Sequence, residues 1–201
     1  MQRNTGIVLS IEKNNKHIVS IVSRGFTLIE LMVTIVVVAI LAAVGLPSMG
    51  NFIAQNRLSG NVNEFIGATM LTRSEAIQRS GAVTICRSAN AETATTPACD
   101  TTATDWNSGW LVYVGTAATT PAASNILARQ GPFTSGTNIA ATSAATTPTL
   151  TSITYNASGT PMPAPPDYFT FSFNSKFSRL VCFSPSGRTS ALPAGSTSCP
   201  T

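Results

Sequence analysis

The 201-residue sequence predicts an α+β fold in which one long N-terminal helix, half transmembrane and half amphipathic, packs on a mainly antiparallel β-sheet head. Three observations predict it. Residues 26–46, FTLIELMVTIVVVAILAAVGL, form a nearly unbroken apolar run. Apolar residues then recur at spacings of three and four as far as Arg79, the period of a helix. After Ser80-Gly81 the period shortens to that of strands. A chain of this length holds one ordinary domain plus an appendage, since domains run to roughly 100 to 150 residues.

Residues 1–25 read as a basic leader. Arg3, Lys13, Lys16 and Arg24, opposed by Glu12, carry +3 of the chain's formal +4 and leave +1 for everything beyond. The overall basicity therefore identifies no anionic partner and marks a segment held on the cytoplasmic side of a membrane. The Ile-rich stretch 18–22 is unusual for a purely charged leader and leaves a start further downstream open. Charged residues are 10% of the chain, against roughly 25% in an ordinary soluble domain, which suits a weakly charged extracytoplasmic surface.

As a helix, residues 26–46 reach about 32 Å, enough to cross a bilayer. A conventional secretory signal cut after Gly45, behind Ala43-Val44, is the competing reading. Against it stands Glu30, a carboxylate that costs about 2.5 to 3.5 kcal/mol at a bilayer centre and has no use in a disposable signal. The apolar run also does not fade at Gly45 but continues through Pro47 into the amphipathic half, 48–80. Pro47 lacks an amide hydrogen and predicts a kink, at about 3 kcal/mol in isolation.

In the amphipathic half, Met49, Phe52, Ile53, Leu58, Val62, Phe65, Ile66, Met70 and Ile77 define the predicted apolar face. Gln55, Arg57, Asn61, Asn63, Glu64 and Arg73 decorate the others. The head, 81–201, is expected to hold strands at 82–86, 109–114, 126–129, 150–155, 168–174 and 179–183. Residues 115–149, rich in Ala, Thr, Ser and Pro, read as a variable loop or hairpin region. Phe169, Phe171 and Phe173 alternate with polar residues as a half-buried strand does, which assigns them to the core.

Four cysteines, Cys86, Cys99, Cys182 and Cys199, point to disulfides in an exported chain. Metal binding is the alternative, but there is no C-x-x-C pair, and His17, the only histidine, lies in the leader. Proximity in sequence alone pairs Cys86 with Cys99 and Cys182 with Cys199. No metal or other cofactor is expected. Nor is an enzyme: the chain beyond the leader has no histidine, phosphate loop or nucleophile elbow, and Asp105 and Asp167 lack a carboxylate partner in sequence.

The run Arg24-Gly25-Phe26-Thr27-Leu28-Ile29-Glu30 resembles the processing site of type IV prepilins and type II secretion pseudopilins. The resemblance implies that a prepilin peptidase cuts between Gly25 and Phe26, that Phe26 becomes the N-methylated terminus, and that Glu30 is the acidic residue needed for assembly. The chemistry is consistent: cleavage leaves an ammonium on an apolar helix, and a carboxylate four residues on can neutralise that charge on a packed neighbour. Family members also carry a proline at the position of Pro47.

Three further stretches narrow the resemblance to the GspH/FimT family of minor pilins and pseudopilins: Leu71-Thr72-Arg73-Ser74-Glu75-Ala76-Ile77, Ala82-Val83-Thr84-Ile85-Cys86, and Trp106-Asn107-Ser108-Gly109-Trp110-Leu111-Val112-Tyr113. With interruptions it extends from 26 to about 199. It implies a subunit at or near a filament tip that helps prime assembly of a type IV pilus or type II secretion pseudopilus. The implied partners are other pilins, the prepilin peptidase and the bacterial inner membrane, with the head in the periplasm.

Some FimT-type pilins bind DNA through a Gly-Arg-x-Arg motif, and the residues that match it are Gly187-Arg188-Thr189-Ser190, with only the first arginine present. Lys176, Arg179 and Arg188 are the candidate DNA contacts, and scattered surface charge is the competing explanation for all three.

Overall fold

The computed structural model describes residues 25–102, 105–142, 150–162 and 168–200, apart from the side chains at 44 and 46–48. The basic leader to position 24, the side chain of Pro47 and Asp167 lie outside the described residues. Two compact units divide between Gly45 and Leu46.

Helix α1 runs from Leu28 to Arg79 as 52 residues of continuous helix. Its end is a Schellman motif: Ser80 takes the left-handed conformation at φ 51°, its amide donates to Ile77 at 3.2 Å, and the Gly81 amide donates to Ala76 at 3.1 Å. The left-handed residue is thus Ser80 rather than the glycine beside it.

Within the second unit, the buried row of α1 is Leu58, Val62, Phe65, Thr69, Thr72 and Ala76, at alternating spacings of four and three. This corrects the face expected from sequence, because Met49, Phe52, Ile53, Met70 and Ile77 are exposed. The two threonines enter the core because each satisfies its hydroxyl on the helix itself, Thr69 on the Ile66 carbonyl at 2.9 Å and Thr72 on that of Ala68 at 2.7 Å.

Among the described residues nine strands follow, all paired antiparallel. The first sheet contains β1 (Val83–Arg87), β2 (Trp110–Val114), β3 (Ile126–Gln130), β5 (Ser152–Tyr155) and β6 (Pro161–Met162), in the order β3-β2-β1-β5-β6. The second contains β4 (Thr137–Thr142), β7 (Tyr168–Phe173), β8 (Phe177–Phe183) and β9 (Thr189–Ala191), in the order β4-β7-β8-β9. The fold class is α+β as expected, with the strands divided between two sheets.

Strands β4, β6 and β9 were not expected. The segment of β4, TNIAAT, sits inside the region read from sequence as a variable loop or hairpin and carries a single large apolar residue, Ile139. It is ordered from outside itself: Ile139 registers with Phe171, receives the Trp106 amide on its carbonyl at 2.9 Å and donates its own amide to Asn107 Oδ1 at 2.6 Å.

One aromatic cluster ties helix and sheets together. The Phe65 ring lies 5.8 Å from Trp106, 5.2 Å from Trp110, 4.7 Å from Phe169 and 5.4 Å from Phe171, mostly edge-on or tilted, the favourable geometry for rings. A smaller cluster on the other face of the first sheet joins Cys86, Ala91, Leu111 and Tyr113.

Candidate functional site

Two regions carry the residues singled out from sequence, and each lies within one unit. In the first unit, Gly25 and Phe26 precede the helix, and Thr27 is its cap. The Glu30 amide donates to Thr27 Oγ1 at 3.3 Å and the Thr27 amide donates to Glu30 Oε2 at 3.5 Å, the reciprocal arrangement of a capping box. A carboxylate in the first turn also faces the positive end of the helix dipole. The Thr-x-x-Glu signature is legible in the sequence, although the capping role is one that the reading of Glu30 as an assembly carboxylate does not include.

Behind the cap, the helix is apolar on every side. Phe26 is 81% exposed, and Leu28, Ile29, Leu31, Met32, Val33, Ile35 to Val38, Ile40 and Leu41 are all exposed. Uncovered apolar surface of this extent exceeds what a soluble monomer leaves in water. Among the described residues no helix is long and apolar enough to cross a membrane. The apolar run of the sequence, 26–46, passes through positions 44 and 46, whose side chains are not described.

In the second unit the three candidate cations are not brought together. Lys176 sits in the β7–β8 turn, where its Nζ donates to Asn51 Oδ1 at 2.9 Å and lies 5.5 Å from the Phe177 ring centre. Arg179 is half-buried within β8, opposite Phe171. Arg188 is exposed in the β8–β9 turn, beyond the other end of β8. Seven residues of strand span roughly 20 Å, so Lys176 and Arg188 mark opposite ends of the sheet rather than one patch.

Around Arg188 the molecule has relief. An open groove of ≈ 290 Å³ is lined by the end of α1 and by the turn into β9, with Met70, Arg73 and Ile77 on one wall and Gly187, Arg188 and Thr189 on the other. Its walls are fixed from beneath. Thr69 and Thr189 share a hydrogen bond between hydroxyls at 3.1 Å in the interior, and Arg73 Nε donates to the Gly159 carbonyl at 3.0 Å. Gly187 has φ +81°, and a side chain there would meet the Gly159 carbonyl at 2.5 Å, so the turn accepts only glycine. Nothing in sequence spacing signalled this groove, because its walls come from distant segments.

Disulfides link Cys86 to Cys99 and Cys182 to Cys199, closing loops at sequence separations of 13 and 17. Next to the first lies a residue that sequence reading passed over. Arg87, at the end of β1, is wholly buried, with its guanidinium nitrogens reaching the carbonyls of Asp100 at 3.3 Å and Asp105 at 3.5 Å. Burial pulls its pKa down, and the nearby Asp100 and Asp105 charges oppose that shift. No group of His, Cys, Asp and Glu able to hold a metal occurs among the described residues.

Comparison with known proteins matches two family models: Type II transport protein GspH over residues 61–187, and the Prokaryotic N-terminal methylation motif over residues 22–46. A 43-residue stretch is 46% identical to "Prepilin peptidase-dependent protein D" of Escherichia coli (strain K12), covering 21% of this chain and 30% of that relative, well under two thirds of its length. Among solved structures, the type IV minor pilin FimU of Pseudomonas aeruginosa (strain PAO1) aligns over 71% of this chain and 92% of its own, with TM-score 0.53 and 21% identity. A second crystal form of FimU aligns with TM-score 0.50 and 20% identity, over 69% and 92% of the two chains. At that identity the likeness is one of fold.

Proposed function

The chain belongs to the Type II transport protein GspH family, and from that premise we propose that it is a minor pilin or pseudopilin placed at or near the filament tip, where it helps prime assembly. In this reading a prepilin peptidase cuts between Gly25 and Phe26, and Phe26 is N-methylated. Residues 26–47 then anchor the subunit in the bacterial inner membrane, with 48–80 as the amphipathic half of the helix and Pro47 as a loosened joint. The head, 81–201, stands in the periplasm, and the partners are other pilins.

The observation that carries this reading is the uncovered apolar surface from Phe26 to Leu41, interrupted by Thr27, Glu30 and Thr34 as polar side chains. Such a surface is stable in lipid or against other apolar helices, which are the two environments a pilin helix occupies before and after assembly. In a packed filament Glu30 is positioned to neutralise the Phe26 ammonium of a neighbour, a pairing worth making where neither group has water.

N-terminal mass spectrometry of the chain recovered from membranes tests the processing step. Recovery of a chain beginning at methylated Phe26 is expected, and one beginning after Gly45 would overturn it. Deletion of the gene then separates the machines: loss of piliation assigns the subunit to a pilus, loss of exoprotein secretion to a type II secretion system.

A second reading, DNA binding during natural transformation, is supported by the exposure of Arg188 within Gly187-Arg188-Thr189-Ser190. The distance of Lys176 from it and the absence of a second arginine count against a continuous phosphate track. The full chain should retard DNA at low salt and Arg188→Ala should weaken it; equal, negligible binding by both sinks this reading.

A further inference from the structure

We infer that the groove between the end of α1 and the β8–β9 turn is a docking site for an acidic polypeptide segment that carries aliphatic side chains beside its carboxylates. The floor and rim supply both halves of that chemistry. Met70 and Ile77 are 55% and 46% exposed on the groove wall, although they sit on a helix whose neighbouring row is fully buried. Arg73 and Arg188 are the charged residues of the lining, and no carboxylate lines it with them. Among the described residues Arg79 pairs with Glu75 and Arg188 forms no ion pair, so Arg188 remains available for an incoming anion.

The site is built rather than incidental. Arg73 is held by the Gly159 carbonyl, the Thr69–Thr189 hydrogen bond pins the opposite wall, and the turn at Gly187 lies too close to the Gly159 carbonyl to admit any side chain. A ligand therefore meets a preorganised surface and loses little free energy to ordering it. The wall also opens into β9, the edge strand of its sheet, whose outer main-chain groups are not taken up by another strand among the described residues. An extended segment can use them as well as the side-chain contacts.

The same features disfavour nucleic acid as the occupant. Single strands are held by aromatic platforms with a run of cations, and this groove has aliphatic side chains and two arginines set across it. Arginine recognises a carboxylate through paired N–H donors, and an aliphatic neighbour on the ligand covers Met70 and Ile77. If the occupant belongs to a neighbouring subunit, that identity rests on the pilin reading; the chemistry of the groove does not.

The test is a titration of the full chain in detergent micelles with fluorescein-labelled heptapeptides. One alternates Leu and Glu, one Leu and Lys, one Ser and Glu; a labelled single-stranded oligonucleotide is the fourth probe. Saturable binding of the Leu/Glu peptide is expected, with the other three at least about tenfold weaker. Arg188→Glu should weaken the Leu/Glu peptide about tenfold and Met70→Ser about threefold, both with unchanged thermal unfolding. Absence of Leu/Glu binding, equal binding by any other probe, or indifference to both substitutions overturns the inference. N-terminal processing and piliation read the other end of the chain, so failure here leaves the pilin reading intact, and failure there leaves the groove intact.

Discussion

Thr27 and Glu30 hold each other across the first turn of α1, each amide donating to the other's side chain. The carboxylate proposed to act between subunits thus also has work within its own helix. A capping box contributes about 1 kcal/mol to a helix start, and glutamine serves nearly as well as glutamate in it. The two roles are therefore separable by charge.

Glu30→Gln keeps the cap and removes the charge. The variant is expected to be processed and stored in the membrane like the parent but to be missing from sheared filaments, as followed by immunoblot of the two fractions. Glu30→Ala loses both contributions and should be no worse in the filament fraction. Normal incorporation of Glu30→Gln would reduce Glu30 to a cap.

Phe52 and Phe65 both belong to the apolar face expected from sequence, but in the molecule they are 62% and 0% exposed. Phe65→Ala removes the ring at the centre of the cluster with Trp106, Trp110, Phe169 and Phe171, and should cost about 3 to 5 kcal/mol. Phe52→Ala should change stability by about 0.5 kcal/mol or less. Thermal unfolding followed by near-ultraviolet circular dichroism, which reports the packed rings, distinguishes them.

This contrast also shows how far the sequence could be read. The end of α1 and strands β1, β2, β3, β5, β7 and β8 were legible because a Ser-Gly stop and short runs of apolar and β-branched residues encode them locally. Thr69 and Thr72 hid the true buried row, since their fitness for the core depends on hydroxyls bonded back to the helix. Strands β6 and β9 are short, β4 carries a single large apolar residue, and all three gain their order from the strands they join. The groove at Arg188 was out of reach, because Met70 and Arg188 meet only after the sheet has formed.

The disulfides should differ in what their loss does. On a chain-entropy estimate each contributes about 3 kcal/mol, since the closed loops are of similar length. Cys86 is wholly buried among Ala91, Leu111 and Tyr113, whereas the tail around Cys199 is largely exposed. The paired Cys86→Ala, Cys99→Ala variant should therefore lose more than the Cys182→Ala, Cys199→Ala variant, by about 1 kcal/mol for the added packing defect. Urea midpoints of the two variants give the comparison, and equal losses would show that packing at Cys86 adds nothing.

Tyr155 gives the fold a dependence on alkaline pH. Burial pushes its phenol up to about 12, with the Arg73 charge pulling the other way. An unfolded tyrosine ionises near ~10, so below that pH both states keep the proton and the group has no effect. From about 10 to about 12 the unfolded chain releases its proton while the folded chain holds it, and stability falls as pH rises, by on the order of 2 to 3 kcal/mol across the window. Tyr155→Phe should remove most of that slope while losing the 3.3 Å hydrogen bond to the Gly187 carbonyl, worth about 1 kcal/mol at any lower pH. The residual slope belongs in part to Tyr113, whose phenol burial also raises. Urea midpoints measured from about pH 9 to about pH 12 decide it: parallel curves for the two proteins would mean that Tyr155 ionises as easily folded as unfolded.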